Sequence, residues 1–417
     1  MKVLYLNPDR GIPVLGDKGA SVHVREFVTA LAAQGHEVLL LCATLGDGNS
    51  EPPARIIEVP PLKSEMLLKN ECEKQGLATS LVDNRTARRE LMRLVYERNF
   101  GRRVEATMTS LGYRPDLIYE RHALFHCAGA GLARKLGVPR FLEVNAPLIG
   151  EQERFRGLCL KDIATAAEQA SFAGADRIIA VSDEVAGYVA SCGVFQERIA
   201  TVPNGVDTGR FCPGAGGDDV RARLGLGRDP VIGFIGSFKP WHGVGFLVDA
   251  FAAMVQRHPA LRLLGVGEGP ELETAKRTIE EHGLEGRAVF TGRVPHAEIP
   301  AHLAAMDVSV APYMPDRDFY FSPLKVVESL AVGTPVIAPR VGQLETLIED
   351  GETGVLFTSG DRSDFIEKTL ALAGNATLRQ RMSVAARARA LSHFSWEQAV
   401  GRIMRDAQKH IGAMCAA

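Results

Sequence analysis

The feature that most constrains this chain is an alternation of short aliphatic runs with amphipathic helical patterns, repeated in two series. Val3-Leu4-Tyr5-Leu6 reads as a buried strand, residues 8–20 as a Gly/Pro/Asp loop, and a helix follows from about Ser21. Val24, Phe27, Val28 and Leu31 fall at i, i+3, i+4 and i+7, which puts them on one apolar face. Gly35 ends the helix, and Val38-Leu39-Leu40-Leu41 is the second strand. Further strands read at 117–119, 140–144 and 177–181. Between Pro60 and Pro115 the pattern is charged, helical and longer than a usual crossover, so it reads as an insertion. The rhythm is that of βαβ units feeding a parallel sheet.

The alternation breaks at Pro203-Asn204-Gly205-Val206-Asp207 and Pro213-Gly214-Ala215-Gly216-Gly217, a linker composition. It restarts with strands at 231–235, 261–266, 288–291, 308–311 and 335–338, and helices near 243–257, 271–282, 298–306 and 323–332. At 417 residues the chain is too long for one ordinary core. The expected architecture is α/β, two Rossmann-like domains over 1–208 and 209–395, with ligands in the cleft beyond the carboxyl ends of the strands.

Composition excludes several classes. Lys+Arg 48 against Asp+Glu 50 lacks the lopsided charge of a nucleic-acid binder, so no nucleic-acid partner is expected. Seven scattered cysteines, none at Cys-x-x-Cys spacing, show neither a zinc site nor a redox pair, and suit small buried residues in a reducing compartment. No apolar run approaches the roughly 20 residues of a membrane span. The apolar start is too short for a signal peptide, so a cytoplasmic location is expected.

The most informative segment is 318–328. Ser322 is a good N-cap and Pro323 suits the first helical position, which puts Lys325 at the third, against the positive end of the helix dipole. A bound phosphate explains that placement. The N–H groups of Leu324 and Lys325, the Ser322 hydroxyl and the Lys325 ammonium would converge on it, and Glu328, one turn on, could accept from ribose hydroxyls. The alternative is a surface helix start with an ordinary Lys325–Glu328 pair. Gly265-Val266-Gly267-Glu268-Gly269-Pro270, Thr291-Gly292-Arg293-Val294 and Gly16-Asp17-Lys18-Gly19-Ala20 are loops that let a backbone approach a ligand, or simply tight turns. None is G-x-G-x-x-G, which disfavours a dinucleotide.

Taken in order, Lys18-Gly19-Ala20-Ser21-Val22-His23-Val24, 175–182, 202–207, 265–270, Phe290-Thr291-Gly292 and 328–338 resemble the retaining glycosyltransferases of GT-B family 4. The resemblance implies an acceptor held by the first domain and a nucleotide-diphosphate sugar by the second. It implies retention of anomeric configuration and no metal or other cofactor. It also implies a C-terminal helix, 396–417, that packs back on the first domain. Gly19 would lie near the donor phosphates, Gly267, Gly292 and Val294 near the base, and Glu328 at the ribose.

The departures are specific. The family's earlier glutamate, eight positions before Glu328, is here Tyr320, so the sugar contact falls to other groups, with the N–H groups of 321–324 the candidates. The family's Arg and Lys after the first strand of the second domain are replaced by Gly236-Ser237-Phe238-Lys239-Pro240-Trp241-His242-Gly243, with His242 in the place of the Lys. An adjacent diphosphate would raise the pKa of His242; otherwise the ring packs beside Trp241. In the first domain His122, Glu143 and Asn145 follow strands, and either contact sugar or acceptor or brace loops.

No carboxylate is placed as a nucleophile. The expected route is therefore front-face displacement, with Lys239, His242, Lys325 and the helix start stabilising the leaving diphosphate and His122 a further catalytic candidate. The alternatives are a non-catalytic subunit that binds nucleotide sugar, and a sugar-nucleotide epimerase on the same fold. The stretch Arg85–Arg103 is basic and amphipathic, and is either a solvated face, a wall of the acceptor pocket, or a weak contact with an anionic membrane surface.

Overall fold

The computed structural model describes every residue except 49, 50, 63, 315–318, 321 and 417. The chain forms two compact units, Met1–Pro203 with Ala399–Ala417, and Asn204–Gln398. The boundaries thus fall a few residues away from those expected from linker composition, after 208 and 395.

The first unit is a seven-stranded parallel sheet of β1 (Lys2–Asn7), β2 (Glu37–Cys42), β3 (Arg55–Glu58), β4 (Leu117–Arg121), β5 (Arg140–Val144), β6 (Arg177–Ala180) and β7 (Ile199–Thr201). Their order is β3-β2-β1-β4-β5-β6-β7. Alternate side chains of β1 point to opposite faces. Leu4 and Leu6 pack with Leu39, Leu41, Tyr96 and Phe100, while Tyr5 meets Phe27 and Tyr119 on the other side. Strands buried on both faces read as near-continuous apolar runs, as Val3–Leu6 of β1 and Val38–Leu41 of β2 do.

The second unit is a six-stranded parallel sheet of β8 (Val231–Ile235), β9 (Arg262–Val266), β10 (Ala288–Phe290), β11 (Val308–Val310), β12 (Val336–Pro339) and β13 (Gly354–Phe357), in the order β10-β9-β8-β11-β12-β13. Ile232 and Phe234 pack with Leu247, Val248 and Phe251 of the helix Val244–Arg257. Val231 and Ile235 belong to a second core with Val326, Val327 and Leu330 of the helix Leu324–Val332.

In each sheet the strand order reverses once, between β1 and β4 and between β8 and β11. Loops leaving strands at such a switch point diverge to opposite faces and open a crevice at the carboxyl edge. The loops after β1 and β8 are therefore the first places to look for ligand contacts in each unit.

The insertion consists of the helices Glu65–Lys74 and Arg85–Leu111 with a short 3₁₀ turn between them. Asn84 caps the long helix by accepting from Thr86 and Ala87 N–H, and Gly112, at φ 60°, ends it. Its apolar face (Leu91, Leu94, Val95, Phe100) is buried within the unit. Several of its arginines are engaged there too: Arg98 on Glu71, Arg93 on Gln152, Arg88 on Val82 O and Arg103 on Pro60 O. The apolar face of this helix is therefore not available to a membrane surface. Among the described residues no helix is long and apolar enough to cross a membrane. The cysteines are less buried than expected: among the described side chains only Cys42 and Cys72 are fully covered, and Cys159 is exposed.

Candidate active site

The second unit brings most of the expected donor-site residues to one edge. The loop after β8 is held tightly: Gly236 N–H donates to Val266 O, and Phe238 N–H to Glu268 O. Gly267, at φ 131°, could carry no side chain, because a Cβ would lie 2.0 Å from Gly236 O. Its N–H donates to Gly292 O at 2.8 Å, so the expected base-side glycines are joined to each other and to the β8 loop. Val294 is partly buried against the core.

Lys325 reaches this loop from the helix Leu324–Val332. Its Nζ lies 4.2 Å from the centre of the Phe234 ring and 5.1 Å from that of Tyr313. A Cβ on Gly236 would come within 2.8 Å of the same atom. Loss of water among these rings pushes the ammonium down to about 7, with Glu328 opposing the shift. The N–H groups of Leu324 and Lys325 have no acceptor among the described residues. A half-buried cation at a helix start with N–H groups that have no acceptor among the described residues has the chemistry to receive an anion.

His242 shares this surrounding, with its ring 5.6 Å from Tyr313. Nδ1 lies 2.5 Å from Ser237 O and 3.2 Å from Ser237 Oγ. Burial and the Lys325 and Lys239 ammoniums push its pKa down to about 3, against the Ser237 carbonyl. With these neighbours alone the ring is neutral, and the charged form expected beside a diphosphate needs the anion to offset both ammoniums. Lys239 is exposed, with its Nζ 4.9 Å over the Trp241 ring.

Two details of the helix start differ from the sequence reading. Pro323 is the N-cap rather than the first helical residue, and no side chain caps the helix, so Lys325 is its second residue. Ser322 is occupied elsewhere: its Oγ accepts from Asn204 N–H at 3.0 Å and its carbonyl from Asn204 Nδ2 at 2.7 Å. Tyr320 is half-buried. Of the N–H groups expected at the sugar within 321–324, that of Phe321 lies outside the described residues and Pro323 has none, which leaves those of Ser322 and Leu324.

Glu328 is buried, and its Oε1 lies 3.0 Å from His296 Nε2. His296 Nδ1 in turn lies 3.3 Å from an Arg210 guanidinium nitrogen. Neither His296 nor Arg210 was found from the sequence, because their partners lie far away in the chain and no local spacing marks them.

In the first unit the expected residues separate. Gly19 is the exposed first residue of the helix Gly19–Ala33, which follows the loop after β1 and has no side-chain cap. Asn145, just past β5, is half-buried. Glu143 is not open to a sugar. It is buried and accepts from His23 Nε2 at 2.9 Å, Tyr119 OH at 2.8 Å and Arg121 at 2.6 Å. Burial alone would raise its pKa, but His23, Arg121 and Tyr119 outweigh it and hold the carboxyl at about 2. His122 is also buried, with Nε2 3.0 Å from Glu168, which also accepts from Tyr188 OH. Both residues brace the strand ends. A groove of about 620 Å³ on the helical side of this unit is lined by Leu94, Arg98 and Arg102 of the Arg85–Arg103 stretch together with Phe125, Leu132 and Ile163, and by none of the other expected residues.

Residues 229–375 match the family model described as glycosyl transferases group 1, and residues 18–210 that of glycosyltransferase family 4. A D-inositol 3-phosphate glycosyltransferase of Thermobifida fusca is 31% identical over 330 residues, 73% of this chain and 72% of that protein. The chain belongs to glycosyltransferase family 4. Its fold is GT-B. Sucrose-phosphate synthase from Thermosynechococcus elongatus superposes with a TM-score of 0.72 at 20% identity, over 99% of both chains. Anabaena HepE in complex with UDP superposes with 0.70 at 19% identity, over 98% of this chain and 100% of that one. Against the same-named enzyme of Thermomonospora curvata, 32% identical, the match covers 57% of this chain and 58% of the relative; this family member thus spans little more than half the length of some curated relatives.

Proposed function

We propose that this family member transfers a hexosyl or related group from a nucleoside-diphosphate sugar to an acceptor, with retention of configuration and without a metal. The observation that carries this reading is the half-buried Lys325 ammonium between Phe234 and Tyr313, on a helix start whose Leu324 and Lys325 N–H groups have no acceptor among the described residues. A diphosphate is the ligand that makes such an arrangement favourable, because it supplies two to three negative charges and acceptors to both.

The leaving group is then stabilised without a cation being recruited. Lys325 and the helix start take the developing charge, Lys239 adds to the local positive potential, and His242 gains a reason to protonate. The route is front-face displacement, in which the departing diphosphate oxygen takes the acceptor's proton. Glu328 holds the ribose, and Gly267, Gly292 and Val294 flank the base; Gly19 is proposed as a donor-phosphate contact and Asn145 as a sugar or acceptor contact. The site works in the cytoplasm, where nucleotide sugars are made.

The first test is a thermal-shift screen against UDP, GDP, ADP, dTDP and CDP and their common sugars. A ligand at a hundred times its Kd adds about 2.7 kcal/mol. A shift for one nucleotide, lost in Glu328→Ala, is the expected result, and no shift with any would overturn the donor site. With the donor known, slow hydrolysis without acceptor separates an enzyme from a non-catalytic subunit, which Tyr320 in place of the family's glutamate would otherwise suggest. Conversion of one nucleotide sugar into its epimer would mark the epimerase. Anomeric NMR of the product and insensitivity to EDTA test retention and metal independence.

A further inference from the structure

Glu328 is fixed by a chain of contacts that the donor-site reading does not contain. The helix Leu324–Val332 presents its carboxylate from one side, and the 3₁₀ turn His296–Glu298 brings the imidazole from the other. Nε2 lies 3.0 Å from Glu328 Oε1, and Nδ1 lies 3.3 Å from the Arg210 guanidinium. A guanidinium has only donors, so Nδ1 must accept from it. The ring proton therefore sits on Nε2, where it donates to Glu328. Phe211 holds this order in place: the His296 ring lies 5.6 Å from the Phe211 ring, and the Arg210 guanidinium 5.1 Å over the same ring. Phe211 is itself buried. Among the described residues the second oxygen of Glu328 accepts from nothing.

We propose that His296 is a positioning residue for nucleotide recognition: Arg210 sets its tautomer, and its Nε2–H turns the free oxygen of Glu328 toward the vicinal hydroxyls of a ribose. The proposal rests on the reading of Glu328 as the ribose contact. It makes Arg210 and His296 determinants of selectivity for ribose without either touching the sugar. A carboxylate free to rotate would share its acceptor lobes with water, whereas one with Oε1 tethered offers Oε2 in a single direction.

The test compares UDP, GDP and ADP with their 2′,3′-dideoxy counterparts, by calorimetry on the full chain, for the wild type, Glu328→Ala, His296→Ala and His296→Gln. His296→Ala is expected to weaken the ribonucleotide about tenfold and the dideoxynucleotide less than about twofold. His296→Gln, whose amide can donate to the same oxygen, should recover most of the loss. In the Glu328→Ala background, His296→Ala should have no further effect. If the alanine variant does not fold, His296→Met keeps the bulk without the donor and is read the same way. Equal losses for both nucleotides, or no loss, in a folded variant would overturn the role of His296 while Glu328→Ala still lost ribose selectivity. A silent Glu328→Ala would instead overturn the ribose reading itself.

Discussion

At Lys325 a cation stands where burial and the helix dipole both disfavour it, and that conflict has measurable consequences. Its pKa of about 7 in the folded chain lies below the ordinary 10.5, so between those values the unfolded chain binds the extra proton. This group therefore disfavours folding at and below about pH 7, and the penalty fades as pH rises toward 10.5. Stability should climb through that window in urea titrations, and Lys325→Met should flatten the climb. Binding has the opposite sign. A diphosphate restores the charged form, so nucleotide affinity should be greatest below about pH 7 and fall up to about tenfold per unit above it. Calorimetry in buffers of different ionisation enthalpy should show proton uptake at pH 8. Lys325→Met should abolish the uptake and weaken binding at pH 6.5 by roughly 10- to 100-fold. Spacing in the sequence was enough to single out Lys325 and Glu328, because both lie on one turn of one helix. For His122 and Glu143 it left a sugar contact and a bracing role open, because their partners Glu168 and His23 come from elements distant in sequence and turn strand-end polar residues inward.

At the level of elements, hydrophobic period was a sound guide to the central strands and the main helices, since each must bury a long apolar face. β3, β7 and β13 went unread: all are sheet edges of three or four residues, where a period has little room to show, although the equally short edge β10 was read. Loop glycines were legible as turns but not by their individual reasons. Gly292 has φ 69°, and a Cβ there would meet nothing within 4 Å, so only its backbone region requires glycine. Gly243 has φ 70°, and a Cβ there would lie 1.8 Å from Pro312 O. Gly292→Ala should therefore cost about 1–2 kcal/mol, the penalty of one left-handed residue. Gly243→Ala should cost about 3 kcal/mol or more, because the β8 loop must also pull away from Pro312. Urea denaturation of the two variants reads the difference. A similar cost for both would mean that the Pro312 strand end yields easily.

For the whole molecule, the informative fact is that one unit is continuous in sequence and the other is not. Residues 204–398 form a complete sheet with its own two cores, whereas the first unit takes its last element from the far end of the chain. The returning segment buries Ala399, Val400, Ile403, Met404 and Ala407, pairs Asp406 with Arg177 at 2.7 Å and sets His410 against Phe141. Burying an aliphatic side chain of this size contributes about 1.5–3 kcal/mol, and domains are stable by only about 5–15 kcal/mol. Removal of 399–417 should therefore destabilise the first unit severely and leave the second nearly untouched. Differential scanning calorimetry of the shortened chain should show one transition lowered by many degrees or lost. The remaining transition should still rise when the nucleoside diphosphate found by the screen is added, because Lys325, Glu328 and His296 all lie in 204–398. If that transition no longer responds to the nucleotide, the second-unit residues Lys325, Glu328 and His296 do not by themselves account for donor binding. If both transitions collapse together, the second unit depends on the first for its fold, despite its continuous sequence and separate cores.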